Sequence, residues 1–138
     1  MLFRNEAHRE FYVKQMNYGE ITDDCYHRAL VYTIGICDDT RKRFDLMYDK
    51  EERHIIPGTI NAAWQTGGSK KVTRLAFNLF TNRPATAYNG TKKGNFEECQ
   101  RYSVSDIFCC EFAPYFIEAI RFRYPEYMKA WRVQGEES

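Results

Sequence analysis

Ser69-Lys70-Lys71-Val72-Thr73-Arg74-Leu75-Ala76-Phe77-Asn78-Leu79-Phe80 is the stretch that decides the fold class. On a helical wheel Val72, Leu75, Ala76, Leu79 and Phe80 share one arc, while Lys70, Lys71, Arg74 and Asn78 share the opposite one. That period belongs to an amphipathic helix with one face on a core. Ser69 supplies a hydroxyl where a helix N-cap needs one. Just before it, Thr66-Gly67-Gly68 reads as an interruption, and Thr59 caps a short helix carrying Ala62, Ala63 and Trp64.

Toward the N-terminus the same pattern recurs. Asn5 caps a helix over about 6–17, with Ala7 and Phe11, then Tyr12 and Met16, four apart. Thr22 or Asp23 opens a second helix whose buried stripe is Tyr26, Ala29, Leu30, Thr33 and Ile34, with Gly35 as its stop. Asp38 or Asp39 opens a third, running to about Tyr48. Toward the C-terminus, Ser103 and Asp106 form a capping-box-like pair ahead of a short helix. Pro114 suits the first turn of the next helix, expected to about Tyr124 and apolar on most sides, hence central and buried. Residues 82–102 are irregular, with Asn89-Gly90 and Lys93-Gly94 turns, and are expected to form a variable surface loop or small hairpin. The tail 133–138 is expected to fray. The whole, 1–138, reads as a single mainly α domain: a compact multi-helix bundle with one long loop or small β-hairpin.

Composition narrows the function classes. Net charge is +1, so no strong field drives nucleic-acid or membrane binding by charge alone. The charges are uneven, however: residues 70–138 carry 11 Lys/Arg against 8 Asp/Glu, which leaves room for an acidic partner surface. Cys25, Cys37, Cys99, Cys109 and Cys110 are odd in number and contain no Cys-x-x-Cys pair. Free thiols in a reducing cytoplasm are the natural reading, and no leader or membrane span is expected. Ligand spacing for a metal is missing around Cys25, His27, Cys109, Cys110, His8 and His54, so neither metal nor cofactor is expected.

Thr66-Gly67-Gly68-Ser69-Lys70-Lys71 could receive an anion at a helix start, but the spacing is not that of a P-loop, and an ordinary cap is the simpler reading. Lys70, Lys71, Arg74 and Asn78 form either a solvated face or a contact face. Arg41-Lys42-Arg43 and Lys92-Lys93 are further basic clusters; convergence of the three would favour nucleic-acid binding, and scatter would end that reading. Trp64 and Gln65 read as a core anchor and a helix-end hydrogen bonder. Cys109 and Cys110 read as buried small hydrophobes. Glu111, Glu118, Arg121 and Arg123 stand in the most apolar region. Glu118 and Arg121, three apart, are expected to pair.

Ile60-Asn61-Ala62-Ala63-Trp64-Gln65-Thr66, Val72 to Leu79, and Phe108-Cys109-Cys110-Glu111-Phe112-Ala113-Pro114-Tyr115-Phe116 with Arg121 to Tyr127 resemble an uncharacterised domain-of-unknown-function family. Its members are small proteins of Gram-positive bacteria and their mobile elements. The resemblance covers nearly the whole chain and brings no catalytic residue with it. It implies a non-enzymatic binding protein, in particular an anti-CRISPR-like anti-defence inhibitor docking on a protein or ribonucleoprotein. The expected contact residues are Lys70, Lys71, Arg74, Asn78, Arg41, Arg43, Tyr88, Lys92 and Lys93. The alternatives are an RNA- or DNA-binding module, and an enzyme with an unfamiliar site near Glu111 and Glu118. A homodimer is among the open oligomeric states.

Overall fold

The computed structural model describes residues 1–84 and 92–129, with 92–95 given as backbone only. Helices dominate: α1 (Glu6–Tyr18), α2 (Cys25–Ile34), α3 (Asp38–Arg41), α4 (Phe44–Met47), α5 (Gly67–Thr81), α6 (Lys92–Gln100), α7 (Val104–Phe108) and α8 (Ala113–Arg123). Two-residue strands β1 (Tyr48–Asp49) and β2 (His54–Ile55) pair antiparallel, Tyr48 opposite Ile55. A 3-10 turn over Pro57–Asn61 leads toward α5. The chain is therefore mainly α with one small hairpin.

The helix at the centre is α2, not α8. From Ala29 to Cys37 every residue is buried, and α2 packs on α1, α5 and α8. Its start is fixed by Asp24, whose carboxylate accepts the His27 backbone N–H at 2.8 Å, one to two residues later than the sequence suggests. Its end is unusual for a glycine. Gly35 has ordinary helical torsions (φ −72°), so no left-handed turn requires it. A Cβ there would stand 2.8 Å from the Phe11 ring and 2.9 Å from that of His8, so the glycine permits the close approach of α1. By contrast α8 buries one face, with Phe116, Glu118 and Ala119 inside and Ile117 at the surface.

The N-terminal segment ties these helices together. Leu2 donates its N–H to Glu118 Oε2 at 2.7 Å and accepts the Tyr32 hydroxyl at 2.5 Å. Arg4 donates to the Ile36 carbonyl at 3.1 Å and lies over the Phe112 ring. Phe3, His8, Tyr12, Tyr32 and Phe122 form one aromatic cluster. Fully burying a ring such as Tyr32 or Phe116 stabilises by roughly 1.5–3 kcal/mol each.

Several local expectations are corrected. The single helix expected over 38–48 is broken, because Arg43 leaves helical torsions (φ −117°, ψ 20°) with its guanidinium 4.9 Å from the centre of the Trp64 ring. A small hairpin lies at 48–55, where the sequence does not suggest one, and residues 85–91 of the expected loop or hairpin lie outside the described residues. In the 48–55 hairpin Asp49 Oδ1 accepts the N–H groups of Glu51 and Glu52, and Arg53 takes a left-handed φ of 54°. Within 82–102, α6 occupies Lys92–Gln100. The tail 133–138 lies outside the described residues.

Candidate functional site

The cap of α5 is Thr66 rather than Ser69. Thr66 Oγ1 accepts the Ser69 N–H at 3.0 Å, and Ser69 Oγ accepts the Thr66 N–H at 2.7 Å, a reciprocal capping box that draws Gly67 and Gly68 into the first turn. Gln65 locks this start in place. Its amide donates to the Thr59 carbonyl (3.0 Å) and to Thr73 Oγ1 (2.9 Å), and its oxygen accepts Ser69 Oγ (2.5 Å). Gln65 thus bonds a helix start, as its place in the sequence suggests. Trp64 packs half-buried against the core beneath Arg43.

From this rigid start α5 presents Lys70, Lys71 and Arg74 toward α6 and α7. The three are half-buried rather than a free solvated stripe, because the 98–106 segment lies over them. Arg74 meets Glu98 with both nitrogen–oxygen distances at 2.8 Å. The Tyr102 hydroxyl also bonds Glu98, and burial followed by that carboxylate raises the phenol above its ordinary range. Lys71 Nζ donates to the Asp106 carbonyl. The Lys70 ammonium bonds no side chain or carbonyl among the described residues, although its backbone N–H donates to the Thr66 carbonyl at 3.0 Å. Gly67, Lys70, Lys71, Arg74, Arg101 and Asp106 line an open cleft of about 280 Å³. Arg101 faces Asp106 at 3.8 Å and is 63% exposed. Ser103 Oγ caps α7 by accepting the Asp106 N–H and donates to Asp106 Oδ2 at 2.9 Å.

Asn78, Arg41 and Arg43 do not line this cleft. Asn78 is half-buried further along α5. Arg41 donates to the Gly35 carbonyl at 2.9 Å and pairs with Asp38, closing the end of α2. Arg43 donates to the Asp39 carbonyl at 3.0 Å. Lys92 and Lys93 have their backbone in α6, and their side chains, like Tyr88, lie outside the described residues.

Residues 1–136 match the profile of a family of unknown function, DUF6075. The chain belongs to that family. No curated protein and no solved structure matches it.

In this DUF6075 member His8, His27, Glu118 and Arg123 are buried and bound to structural partners. His8 Nδ1 accepts the Arg4 N–H at 3.1 Å and Nε2 lies 2.8 Å from the Tyr32 carbonyl. Burial, with Arg41 and Arg4 nearby, lowers its pKa to about 4. His27 bridges Asp24 Oδ1 and the Tyr48 hydroxyl, each at 2.8 Å. Glu118 pairs with Arg121 at 3.2 Å, as their spacing suggests, and lines a second cleft of about 430 Å³ with Met1, Phe122, Pro125, Met128 and Lys129. Glu111 is exposed and does not line it. Buried Arg123 donates to the Leu79 carbonyl (2.8 Å) and Asn82 Oδ1 (2.6 Å), and its guanidinium stacks 3.8 Å from the Tyr26 ring centre. Cys109 is exposed and Cys110 half-buried, which corrects the expectation that both are core residues. Among the described residues no three His, Cys, Asp or Glu groups stand together as metal ligands, and no helix is long and apolar enough to cross a membrane.

Sequence reasoning missed Glu98, Arg101 and Asp106 as parts of the α5 surface. Glu98 lies 24 residues from Arg74 and Asp106 35 from Lys71, and Glu98 and Arg101 fall in a stretch whose glycines and asparagines read as loop. The one local signal was Ser103 with Asp106, which placed α7 but not what it packs on.

Proposed function

We propose that this chain is a non-enzymatic binding protein that docks on a protein or ribonucleoprotein through the face built by the start of α5, the end of α6 and α7. The supporting observation is the cleft in which Lys70, Lys71, Arg74 and Arg101 converge, with Asp106 the only lining carboxylate among the described residues. Surface cations gathered on a pre-set frame favour an anionic partner surface. An anti-CRISPR-like inhibitor carried by a mobile element is the specific form of this reading. It rests on the family resemblance, and suits a protein that acts by covering a surface. The reading of an enzyme centred on Glu111 and Glu118 has less support, because Glu118 spends one oxygen on Leu2 and the other on Arg121.

The test is capture from a host lysate with the full chain as bait, followed by mass spectrometry, comparing wild type with Lys70→Glu/Arg101→Glu. These two side chains are the right choice because Lys71 and Arg74 also hold the fold. Loss of the captured partner in the variant is expected. Capture of the same partner at the same yield would remove the cleft from the interface. RNA or DNA binding through the same cations is the second reading. It requires an affinity that falls steeply with salt, whereas a flat salt response excludes it.

A further inference from the structure

Resting on that docking reading, we infer that the α5–α7 cleft receives a phosphomonoester, carried as a phosphorylated side chain on the protein partner. Four cations line the cleft, and the carboxylates paired with them among the described residues are Asp106 at its wall and Glu98 behind Arg74. The excess of two positive charges matches a phosphomonoester, which carries about −1.5 to −2 at neutral pH, better than a singly charged diester. Two of the cations are already held in place, Lys71 by the Asp106 carbonyl and Arg74 by Glu98, so less ordering is lost when an anion arrives. Lys70 has no partner to give up, and Arg101 has only the 3.8 Å contact with Asp106.

The backbone adds to this. The capping box uses the Ser69 N–H, and the N–H groups of Gly67 and Gly68 have no acceptor among the described residues. A Cβ on Gly67 would meet nothing within 4 Å. Packing therefore does not require a glycine there, and the bare backbone borders the cleft. Arginines and lysines beside free amides are the groups that read phosphorylated residues elsewhere in protein chemistry. Among the described residues no aromatic ring lines the cleft as a platform for a nucleobase. A neighbouring depression of about 380 Å³, lined by Glu97, Gln100, Arg101 and Asp106, shares two residues with the cleft and gives room for the residues flanking the phosphorylated one.

The test follows the amide resonances of Gly67, Gly68, Lys70 and Arg101 in the full chain. The probes are a short phosphoserine peptide, its unphosphorylated form, inorganic phosphate and a 5′-phosphorylated oligonucleotide. Saturable shifts are expected with the phosphopeptide, weaker ones with inorganic phosphate, and none with the unphosphorylated peptide. Lys70→Ala and Arg101→Ala should each weaken phosphopeptide binding by roughly tenfold. No saturable shift, an equal response to the unphosphorylated peptide, or tighter binding of the oligonucleotide would each overturn the inference. Capture from a phosphatase-treated lysate separates this from the docking proposal. If a partner is still captured and still lost with Lys70→Glu/Arg101→Glu, docking stands and the phosphate inference falls. If capture disappears with the phosphate, both stand.

Discussion

Arg74 and Glu98 join α5 to α6 through a two-pronged ion pair, both contacts 2.8 Å, with side chains only 13% and 15% exposed. The pair does two jobs: it pins the 98–106 segment over α5, and it fixes one cation at the wall of the cleft. A double-mutant cycle with Arg74→Ala and Glu98→Ala should therefore give a coupling energy of roughly 1–3 kcal/mol in urea unfolding. The exposed Glu6–Arg9 pair, one helix turn apart, should give a coupling too small to resolve. Equal couplings at the two sites would mean that the 98–106 segment is not held by this pair.

Two glycines should respond in opposite ways. At Gly35 an added methyl would press on Phe11 and His8, so Gly35→Ala should destabilise by about 1–3 kcal/mol. At Gly67 the space is open, and Gly67→Ala should be neutral or stabilise by up to about 1 kcal/mol through helix propensity. Thermal or urea unfolding of the two variants measures both.

Arg123 closes the end of α5 from α8. It holds the Leu79 carbonyl and also the side chain of Asn82, whose left-handed φ of 63° terminates that helix. Arg123→Ala leaves a buried carbonyl unsatisfied and removes the stack on Tyr26, which should cost about 2–4 kcal/mol. Arg123→Lys should recover only part of this, because an ammonium cannot serve both acceptors from one plane. Full stability of the lysine variant would show that charge, rather than the fork, is what matters.

His8 should give the protein an acid-sensitive window. Its folded pKa lies near 4 and its unfolded value near 6.5, so between these the unfolded chain binds the extra proton. Stability is then lost as pH falls from about 6.5 to 4, by about 3 kcal/mol in all, with no His8 effect above that range. Asp24 acts lower. Burial pushes its pKa up, but hydrogen bonds from His27 outweigh that and hold it below the usual aspartate value, so its contribution fades only under about pH 4. A urea midpoint series against pH should show the upper slope flatten in His8→Gln while the lower one remains.

Much of the fold is legible in the sequence because its signals are local. Asn5, Ser103 and Pro114 mark helix starts where the structure has them. The arc of Val72, Leu75, Ala76 and Leu79 is buried throughout. What the sequence hides is non-local. Phe77 and Thr73 are fully buried although they lie off that arc, because α5 is covered on a second side. On another side the 98–106 segment turns Lys71 and Arg74 from a free stripe into the wall of a cleft, and nothing within a helical turn of either residue announces it. Arg41 and Arg43 read as a basic patch, yet their hydrogen bonds to Gly35 and Asp39 make them part of the α2–α3 corner.

The claim that the α5–α6–α7 face is where this protein meets its partner is tested most directly by amide hydrogen exchange on the captured complex. Peptides covering 67–74 and 98–106 should slow markedly on binding, with the rest of the described chain unchanged. Slowing confined to the surface around Met1, Ile117 and Tyr127, with 67–74 exchanging as in the free protein, would contradict it.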